Sequence, residues 1–167
     1  MDSSQPSRSA MSAAVARGTH RLWDEPPWIF DDPFALILVG PGWEDIAAAS
    51  RALARSEVTR QGHAGVLVRS RYPEERLLEG AYRQYVVLGA GLDSFAWRRP
   101  DVCRTLRVFE VDPPATQAWK RDRAASLALP ISGNHLFVPV DFETEALDGC
   151  LDSAGFDWSR PALFSCV

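Results

Sequence analysis

The stretch that decides the fold is Tyr85-Val-Val-Leu-Gly-Ala-Gly-Leu-Asp-Ser94, followed by Val108-Phe-Glu-Val-Asp-Pro-Pro114. Each begins with a short apolar run rich in β-branched residues, which is typical of a buried strand. The first run enters a Gly-x-Gly turn at Gly89–Gly91, and the second ends on Asp112. In parallel α/β sheets such residues lie at the C-terminal ends of the strands, where ligands bind. The two segments therefore predict an α/β domain with a nucleoside pocket.

The same alternation continues through the rest of the sequence. A third strand is predicted over Leu136–Val140, ending on Asp141, and a fourth begins at Pro161. Helical segments lie between the strands, and Asp112-Pro113 is expected to cap the helix that follows the second strand. Strand–helix–strand alternation with short loops implies a mainly parallel sheet with right-handed crossovers. We assign residues 83–167 to this sheet domain.

The segment ahead of the sheet has helical patterns. Residues 1–9 have the Ser-rich composition of a disordered tail, and residues 10–82 are expected to form a helical region. Asp32 is a suitable N-cap, and Pro33 suits a first helical position. The predicted helices are 10–22, 30–38, 44–60 and 74–82, with 62–65 expected as a loop and 66–72 compatible with a strand or a helix.

Composition excludes several classes of function. The 167 residues carry a formal net charge of -4, whereas nucleic acids and anionic membranes attract surplus positive charge. No apolar stretch is long enough to span a bilayer. The three cysteines are scattered, and no Cys/His cluster has metal-ligand spacing, so we expect reduced thiols, a cytoplasmic location and no metal site. The basic side chains Arg98-Arg99, Lys120, Arg121 and Arg123 are expected to be solvated. His20, His63 and His135 are isolated in sequence and are not expected to be ligands.

Each residue at the predicted strand ends has a physical role to offer. Gly89 and Gly91 allow a sharp turn and a close approach of the backbone to a ligand. Asp112 offers an acceptor pair for a ribose diol, with the cap of the next helix as the alternative reading. Asp141 can accept from an exocyclic amine, or can be a turn residue, and Phe142 can pack on a purine face. Together they favour a nucleoside cofactor.

These motifs carry a family resemblance. The segments Leu88-Gly-Ala-Gly-Leu-Asp-Ser-Phe-Ala-Trp-Arg98, Phe109-Glu-Val-Asp-Pro113 and Val138-Pro-Val-Asp141 closely resemble the leucine carboxyl methyltransferase-like family. This is a group of class I S-adenosylmethionine-dependent methyltransferases that includes polyketide O-methyltransferases. Phe30-Asp-Asp-Pro-Phe-Ala35 and Val68-Arg-Ser-Arg71 resemble its upstream segments. The resemblance covers roughly residues 10–165.

The resemblance implies a fold, a cofactor and a reaction. The fold is a Rossmann-like α/β fold, here a partial parallel sheet of order 3-2-1-4 behind a helical region. S-adenosyl-L-methionine is the implied cofactor, and the implied reaction is O-methylation of a small polyketide-like or carboxylate acceptor. Carboxylates need no strong base, and no residue stands out in the sequence as a catalytic base.

The resemblance also implies roles for single residues. Gly89 would lie against the methionine part of the cofactor, with Gly91 completing the turn. Arg69 would pair with the methionine carboxylate, and Arg71 is the alternative. Asp112 would hold the ribose hydroxyls. Asp141 and Phe142 would surround the adenine.

Two other classes of function stay open at this point. A nicotinamide-dependent oxidoreductase is disfavoured because Ser94 stands where the dinucleotide fingerprint requires a third glycine or an alanine. A non-catalytic interaction module is the other alternative. Members of the family are usually much longer than this chain. We therefore expect a truncated methyltransferase with weak or no activity as an isolated polypeptide.

Overall fold

In the described part of the chain, four helices precede the sheet. The computed structural model describes residues 6–53 and 57–166. The helices of this region are α1 (Arg8–Trp23), α2 (Ala35–Val39), α3 (Trp43–Leu53) and α4 (Glu57–Glu79). Small and branched residues on α1, α2 and α3 pack into one apolar cluster that includes Ala14, Val15, Ala35, Val39 and Ala47. Within the described residues, no helix is long and apolar enough to cross a membrane.

The second part of the chain is a four-stranded sheet, and every neighbouring pair of strands in it is parallel. The strands are β1 (Gln84–Leu88), β2 (Arg107–Asp112), β3 (His135–Pro139) and β4 (Ala162–Cys166). Their order is β3-β2-β1-β4, which confirms the predicted α/β fold and the order 3-2-1-4. The connecting helices are α5 (Phe95–Arg98), α6 (Pro114–Ser126) and α7 (Leu147–Ser153).

Alternation along β1 divides the core between the two faces of the sheet. Tyr85 and Val87 belong to one buried cluster, together with Phe95 of α5. Val86 points to the opposite face and packs with Phe109 in a second cluster. Successive side chains of a strand point to opposite faces, so a strand covered on both sides is apolar throughout. This explains the continuous apolar run that identified β1 in the sequence.

A buried ionic cluster joins the helical region to the sheet domain. Asp32 accepts a hydrogen bond from Arg17 Nε of α1 at 2.9 Å and one from the Ser94 hydroxyl at 2.7 Å. Arg17 Nη2 donates a hydrogen bond to the carbonyl of Leu92 at 2.7 Å. Arg98 Nε lies 3.7 Å from the Asp32 carboxylate. The helices are therefore fixed against the loop that follows β1.

Several predicted boundaries in the helical region were wrong. The loop expected at residues 62–65 lies inside α4, which continues through Pro73 to Glu79. Glycines weaken a helix by only about 1 kcal/mol each, and packing of Leu67 in the core offsets this. The helix expected to have Asp32 as its N-cap and Pro33 as its first residue begins instead at Ala35, although Asp32 Oδ1 does accept the N–H of Phe34 and of Ala35. The prediction for residues 54–56 lies outside the described residues.

Candidate functional site

The glycine turn after β1 has the backbone that only glycine adopts readily. Gly89 has φ 66° and Gly91 has φ 49°, both in the left-handed region. A Cβ added at Gly91 would lie 2.9 Å from the Cβ of Ala10 on α1. The N–H of Ala90 donates to the carbonyl of Val111 at 3.0 Å. The turn is thus held between the end of β2 and the first turn of α1.

Asp112 lies at the end of β2 and faces this turn. Its Oδ2 accepts a hydrogen bond from the N–H of Gly91 at 2.5 Å, and the residue is 6% exposed. Burial raises the pKa of Asp112, against the lowering effects of the Gly91 N–H, of Lys120 and of the Thr116 hydroxyl. The expectation that Asp112 caps the next helix was wrong. The cap residue of α6 is Pro113, and no side chain makes a cap hydrogen bond there.

Asp141 and Phe142 follow β3 at the same edge of the sheet. The N–H of Val140 donates to the carbonyl of Asp112 at 3.0 Å, which places the start of this loop beside the end of β2. Asp141 Oδ1 accepts the N–H of Glu143 at 3.0 Å, so Asp141 does form a turn. Its carboxylate is exposed, and the Phe142 side chain is 52% exposed. Both side chains are therefore open to a ligand.

The two arginines of the Val68–Arg71 segment differ in their surroundings. Arg71 is engaged, because its Nε lies 2.5 Å from Glu75 Oε1 and its Nη1 donates to the carbonyl of Ile29 at 3.1 Å. Arg69 has no hydrogen bond or ion pair within the part of the chain that the structure describes. It is exposed and lines a cavity of about 840 Å³ between α1, α3 and α4. Of the two arginines, Arg69 is thus the one whose guanidinium has no partner among the described residues.

The structure groups five of the six predicted site residues at one sheet edge. Gly89, Gly91, Asp112, Asp141 and Phe142 follow three neighbouring parallel strands. Arg69 stands apart on α4. The cavity that it lines also includes Ser9 of α1, the neighbour of the Ala10 that packs against Gly91.

A buried charged group beneath the site was missed by the sequence analysis. Lys120 was expected to be solvated but is fully buried, with Nζ 2.5 Å from Glu110 Oε2. Glu110 Oε1 also lies within hydrogen-bond distance of His135 Nε2, at 2.9 Å. Burial opposes ionisation of Glu110, but Lys120 and His135 outweigh it and lower its pKa. Lys120 was misread because a buried partner on another element leaves no signal in local charge pattern.

The expectation for Arg98 was wrong for the same reason. Its side chain is 7% exposed and forms a bidentate ion pair with Glu74 of α4, in which Nη1 lies 3.1 Å from Oε2. Its guanidinium also lies over the ring of Phe30, 4.5 Å from the centroid. A planar guanidinium suits a buried carboxylate pair of this kind.

Sequence comparison identifies the family that shares this arrangement. The profile of the leucine carboxyl methyltransferase family matches residues 10–167. The chain belongs to this family. Among its relatives, YktD of Bacillus subtilis is 34% identical over 91% of this chain and 58% of its own length. Rv1729c of Mycobacterium tuberculosis is 32% identical over 90% of this chain and 51% of its own length.

These relatives carry the name of S-adenosyl-L-methionine-dependent methyltransferases, as does a protein of Mycobacterium sp. strain JLS that is 32% identical over 83% of this chain. S-adenosylmethionine is therefore the cofactor of the family. The chain spans about half the length of the curated relatives it matches.

The residues at the sheet edge fit this cofactor. A buried carboxylate beside a glycine turn suits a ribose diol, and Asp112 supplies one that is 6% exposed. The exposed Asp141 and Phe142 offer an acceptor and an aromatic face to an adenine. The exposed guanidinium of Arg69 suits a carboxylate.

Proposed function

We propose that the chain binds S-adenosylmethionine at the edge of the sheet formed by the ends of β1, β2 and β3. We propose further that it is the cofactor-binding part of an O-methyltransferase that acts on a small molecule. The observation that supports this most is the Gly91–Asp112 hydrogen bond, which joins a glycine turn to a buried carboxylate at the ends of adjacent strands. A ribose placed at that junction has an acceptor beside it, and the turn lets the backbone approach the ligand closely.

Each residue has a defined part in this proposal. Gly89 and Gly91 contact the methionine portion, and Asp112 accepts from the ribose hydroxyls. Asp141 and Phe142 border the adenine. Arg69 pairs with the methionine carboxylate, because its guanidinium has no partner in the described part of the chain, whereas that of Arg71 is engaged by Glu75.

The chemistry places modest demands on the protein. When bound, the cofactor supplies an activated methyl group on a sulfonium. The residues of the chain need only hold donor and acceptor in line and keep water away. The free thiols of Cys103, Cys150 and Cys166 support a cytoplasmic location for this activity.

Calorimetric titration tests the proposal. S-adenosylhomocysteine added to the 167-residue chain is expected to bind at one site, whereas NAD under the same conditions produces no binding heat. A nicotinamide-binding protein gives the reverse result. If a chain shown by circular dichroism to be folded binds neither compound, the proposal is wrong and a non-catalytic interaction module becomes the better description.

A further inference from the structure

The face of α6 that packs against β2 is polar although it is buried. Its buried residues Thr116, Gln117 and Lys120 are spaced so that they lie on one side of the helix. Gln117 Nε2 donates to the backbone carbonyl of Glu110 at 2.6 Å, and Lys120 Nζ lies 2.5 Å from Glu110 Oε2. Buried polar groups are stable in a protein interior when they are hydrogen-bonded. Polar contacts to β2 therefore fix the position of this helix.

Two carboxylates of β2 face this side of α6. Glu110 and Asp112 are two residues apart on the strand, so their side chains point to the same face of the sheet. The Thr116 hydroxyl hydrogen-bonds the Asp112 carboxylate, while Lys120, one helical turn further along α6, pairs with Glu110. Lys120 and Glu110 are both fully buried. The charge of the ammonium is therefore poorly screened by solvent, and it acts on Asp112 as well as on Glu110.

His135 does not add a second positive charge to this face. Its Nε2 lies 2.9 Å from Glu110 Oε1, and an ionised carboxylate can only accept, so Nε2 carries the ring proton. His135 Nδ1 is buried and has no hydrogen-bond partner among the described residues. A second proton on Nδ1 would bury a charged donor without an acceptor, which is costly. The ring is therefore neutral, and Glu110 and Asp112 share the positive charge of Lys120.

In the described part of the chain, the other charged groups near this sheet edge do not replace Lys120. Asp93 in the loop after β1 and Asp141 after β3 are acidic, and Arg8 in the first turn of α1 is exposed, so that its charge is screened. Burial raises the pKa of Asp112, and Lys120 opposes this effect. Lys120 is thus the buried cation that opposes proton uptake by Asp112.

We propose that Lys120 is a positioning residue of the ribose site: its buried ammonium keeps Asp112 ionised, so that the carboxylate can accept both hydroxyls of a ribose diol. The inference rests on the proposed function, which places the ribose at Asp112. Asp112 Oδ2 already accepts the N–H of Gly91, but an ionised carboxylate has about four lone-pair sites. Protonation would turn one oxygen into a donor and would remove the charge that strengthens these hydrogen bonds. Lys120 therefore acts on the ligand through Asp112 rather than by contact.

Opposite changes of charge on β2 and α6 test this role. S-adenosylhomocysteine is titrated by calorimetry into the wild-type chain, Glu110→Gln and Lys120→Met over a pH range of about 4 to 8. In the wild type, we expect the affinity to fall on the acid side as Asp112 takes up a proton. Glu110→Gln leaves the ammonium to Asp112 alone and should move this fall to lower pH, whereas Lys120→Met should move it to higher pH. A shift of about one pH unit corresponds to about a tenfold change in affinity on the acid side.

A merely structural role of Lys120 predicts a different result. Both variants would then bind more weakly at every pH, with the fall on the acid side at its wild-type position. That outcome, or shifts of both variants in the same direction, overturns the inference. Arg121→Met, on the exposed face of α6, is the control and should reproduce the wild-type profile. Circular dichroism at each pH restricts the comparison to folded samples, and if Lys120→Met does not fold, the direction of the shift in Glu110→Gln decides.

A measurement on the wild type alone gives a second check. The ¹³C resonance of the Asp112 side-chain carboxyl, assigned by its absence in Asp112→Asn, reports the ionisation of this group. We expect an ionised carboxyl at about pH 7 before any ligand is added. A carboxyl that is protonated at this pH overturns the inference, whether or not the variants fold. If the wild type binds no S-adenosylhomocysteine at any pH, the proposed function has failed, and the same resonance still decides whether Lys120 controls the charge of Asp112.

Discussion

The buried carboxylate of Asp112 accepts the backbone N–H of Gly91, which belongs to the turn that leaves the neighbouring strand. This bond fixes the position of an acidic group relative to a backbone that passes close to any ligand. It also explains why Asp112 does not cap α6, since its side chain points back toward β1. One interaction therefore shapes both the turn and the acceptor for a ribose.

The variant Asp112→Asn tests the charge of this group. Asparagine retains a carbonyl oxygen for the Gly91 N–H but loses the ionised acceptor, and hydrogen bonds to charged groups contribute about 1.5–3 kcal/mol. We expect S-adenosylhomocysteine to bind about 10-fold to 100-fold more weakly by calorimetry. Asp101→Asn is the control, because that side chain is 64% exposed and pairs with Arg99 at the surface. Equal affinities for the wild type and Asp112→Asn would show that the charge of Asp112 does not contribute to binding of the ligand.

Arg69 and Arg71 can be compared directly. Replacing Arg69 with Gln removes a guanidinium that has no partner within the described ranges, so it should weaken S-adenosylhomocysteine binding about tenfold. Arg71→Gln instead breaks the pair with Glu75 on the surface of α4, which contributes at most about 1 kcal/mol to stability. Calorimetry and thermal unfolding measure the two effects. The opposite pattern, with affinity lost in Arg71→Gln, would transfer the assignment to Arg71.

The contact between the glycine turn and α1 can be measured as a coupling energy. Gly91→Ala introduces a methyl group 2.9 Å from the Ala10 Cβ, at a φ of 49°. The left-handed backbone costs about 1–2 kcal/mol for alanine, and the close contact adds to it. Ala10→Gly removes the contact but not the backbone strain. Urea unfolding of both single variants and the double variant should give non-additive losses, whereas simple additivity would show that α1 does not press on the turn.

The sheet could be predicted from sequence because its signals are local. The run Tyr85–Leu88 is buried on both faces, and a continuous apolar run followed by Gly89 identifies such a strand without knowledge of its neighbours. The positions of Asp112 and Asp141 at the ends of β2 and β3 could be predicted for the same reason, since each directly follows an apolar run. The helical region gave weaker signals. Two glycines, at 62 and 65, suggested a loop that the packing of α4 overrides.

Properties that depend on distant partners could not be predicted. Lys120 is buried because Glu110 lies on the adjacent strand, and nothing in the local charge pattern indicates this. His63 is isolated in sequence, and the packing of α4 beside α1 brings its ring centroid to 6.4 Å from that of His20. The spacing of His20 and Asp24 at i and i+4 was the one local signal for this cluster. Long-range pairing is therefore the part of the site that sequence patterns leave out.

Lys120 is expected to be essential for stability. The variant Lys120→Met leaves the Glu110 carboxylate buried without its lysine partner, although His135 Nε2 still lies within hydrogen-bond distance. Breaking a buried ion pair costs about 3–5 kcal/mol. Glu110→Gln combined with Lys120→Met removes both charges and should recover part of that loss. Arg121→Met is a control on the exposed face of the same helix. Urea unfolding measures all three, and a double variant no more stable than Lys120→Met would contradict this account.

The ionic cluster around Asp32 should control stability at acid pH. Burial by itself raises the pKa of Asp32, but Arg17, Arg98 and the Ser94 hydroxyl outweigh burial and lower the pKa. A carboxyl whose pKa is lowered by folding stabilises the protein above the pKa of the unfolded chain. That stability is lost as the pH falls from about 4 through the lowered pKa of the folded state.

Asp32→Asn should therefore be less stable than the wild type at neutral pH and should lose less stability on acidification. Asp31→Asn is a matched control one residue away, because its side chain is 46% exposed and pairs with Arg21 on the surface. The free energy of unfolding in urea, measured at a series of pH values below 6, checks both variants. If Asp31→Asn reduced the loss of unfolding free energy on acidification as strongly as Asp32→Asn does, the buried cluster would not be the source of that loss. Because Asp32 is buried and Asp31 is exposed, we expect only Asp32→Asn to change how steeply the free energy of unfolding falls with pH.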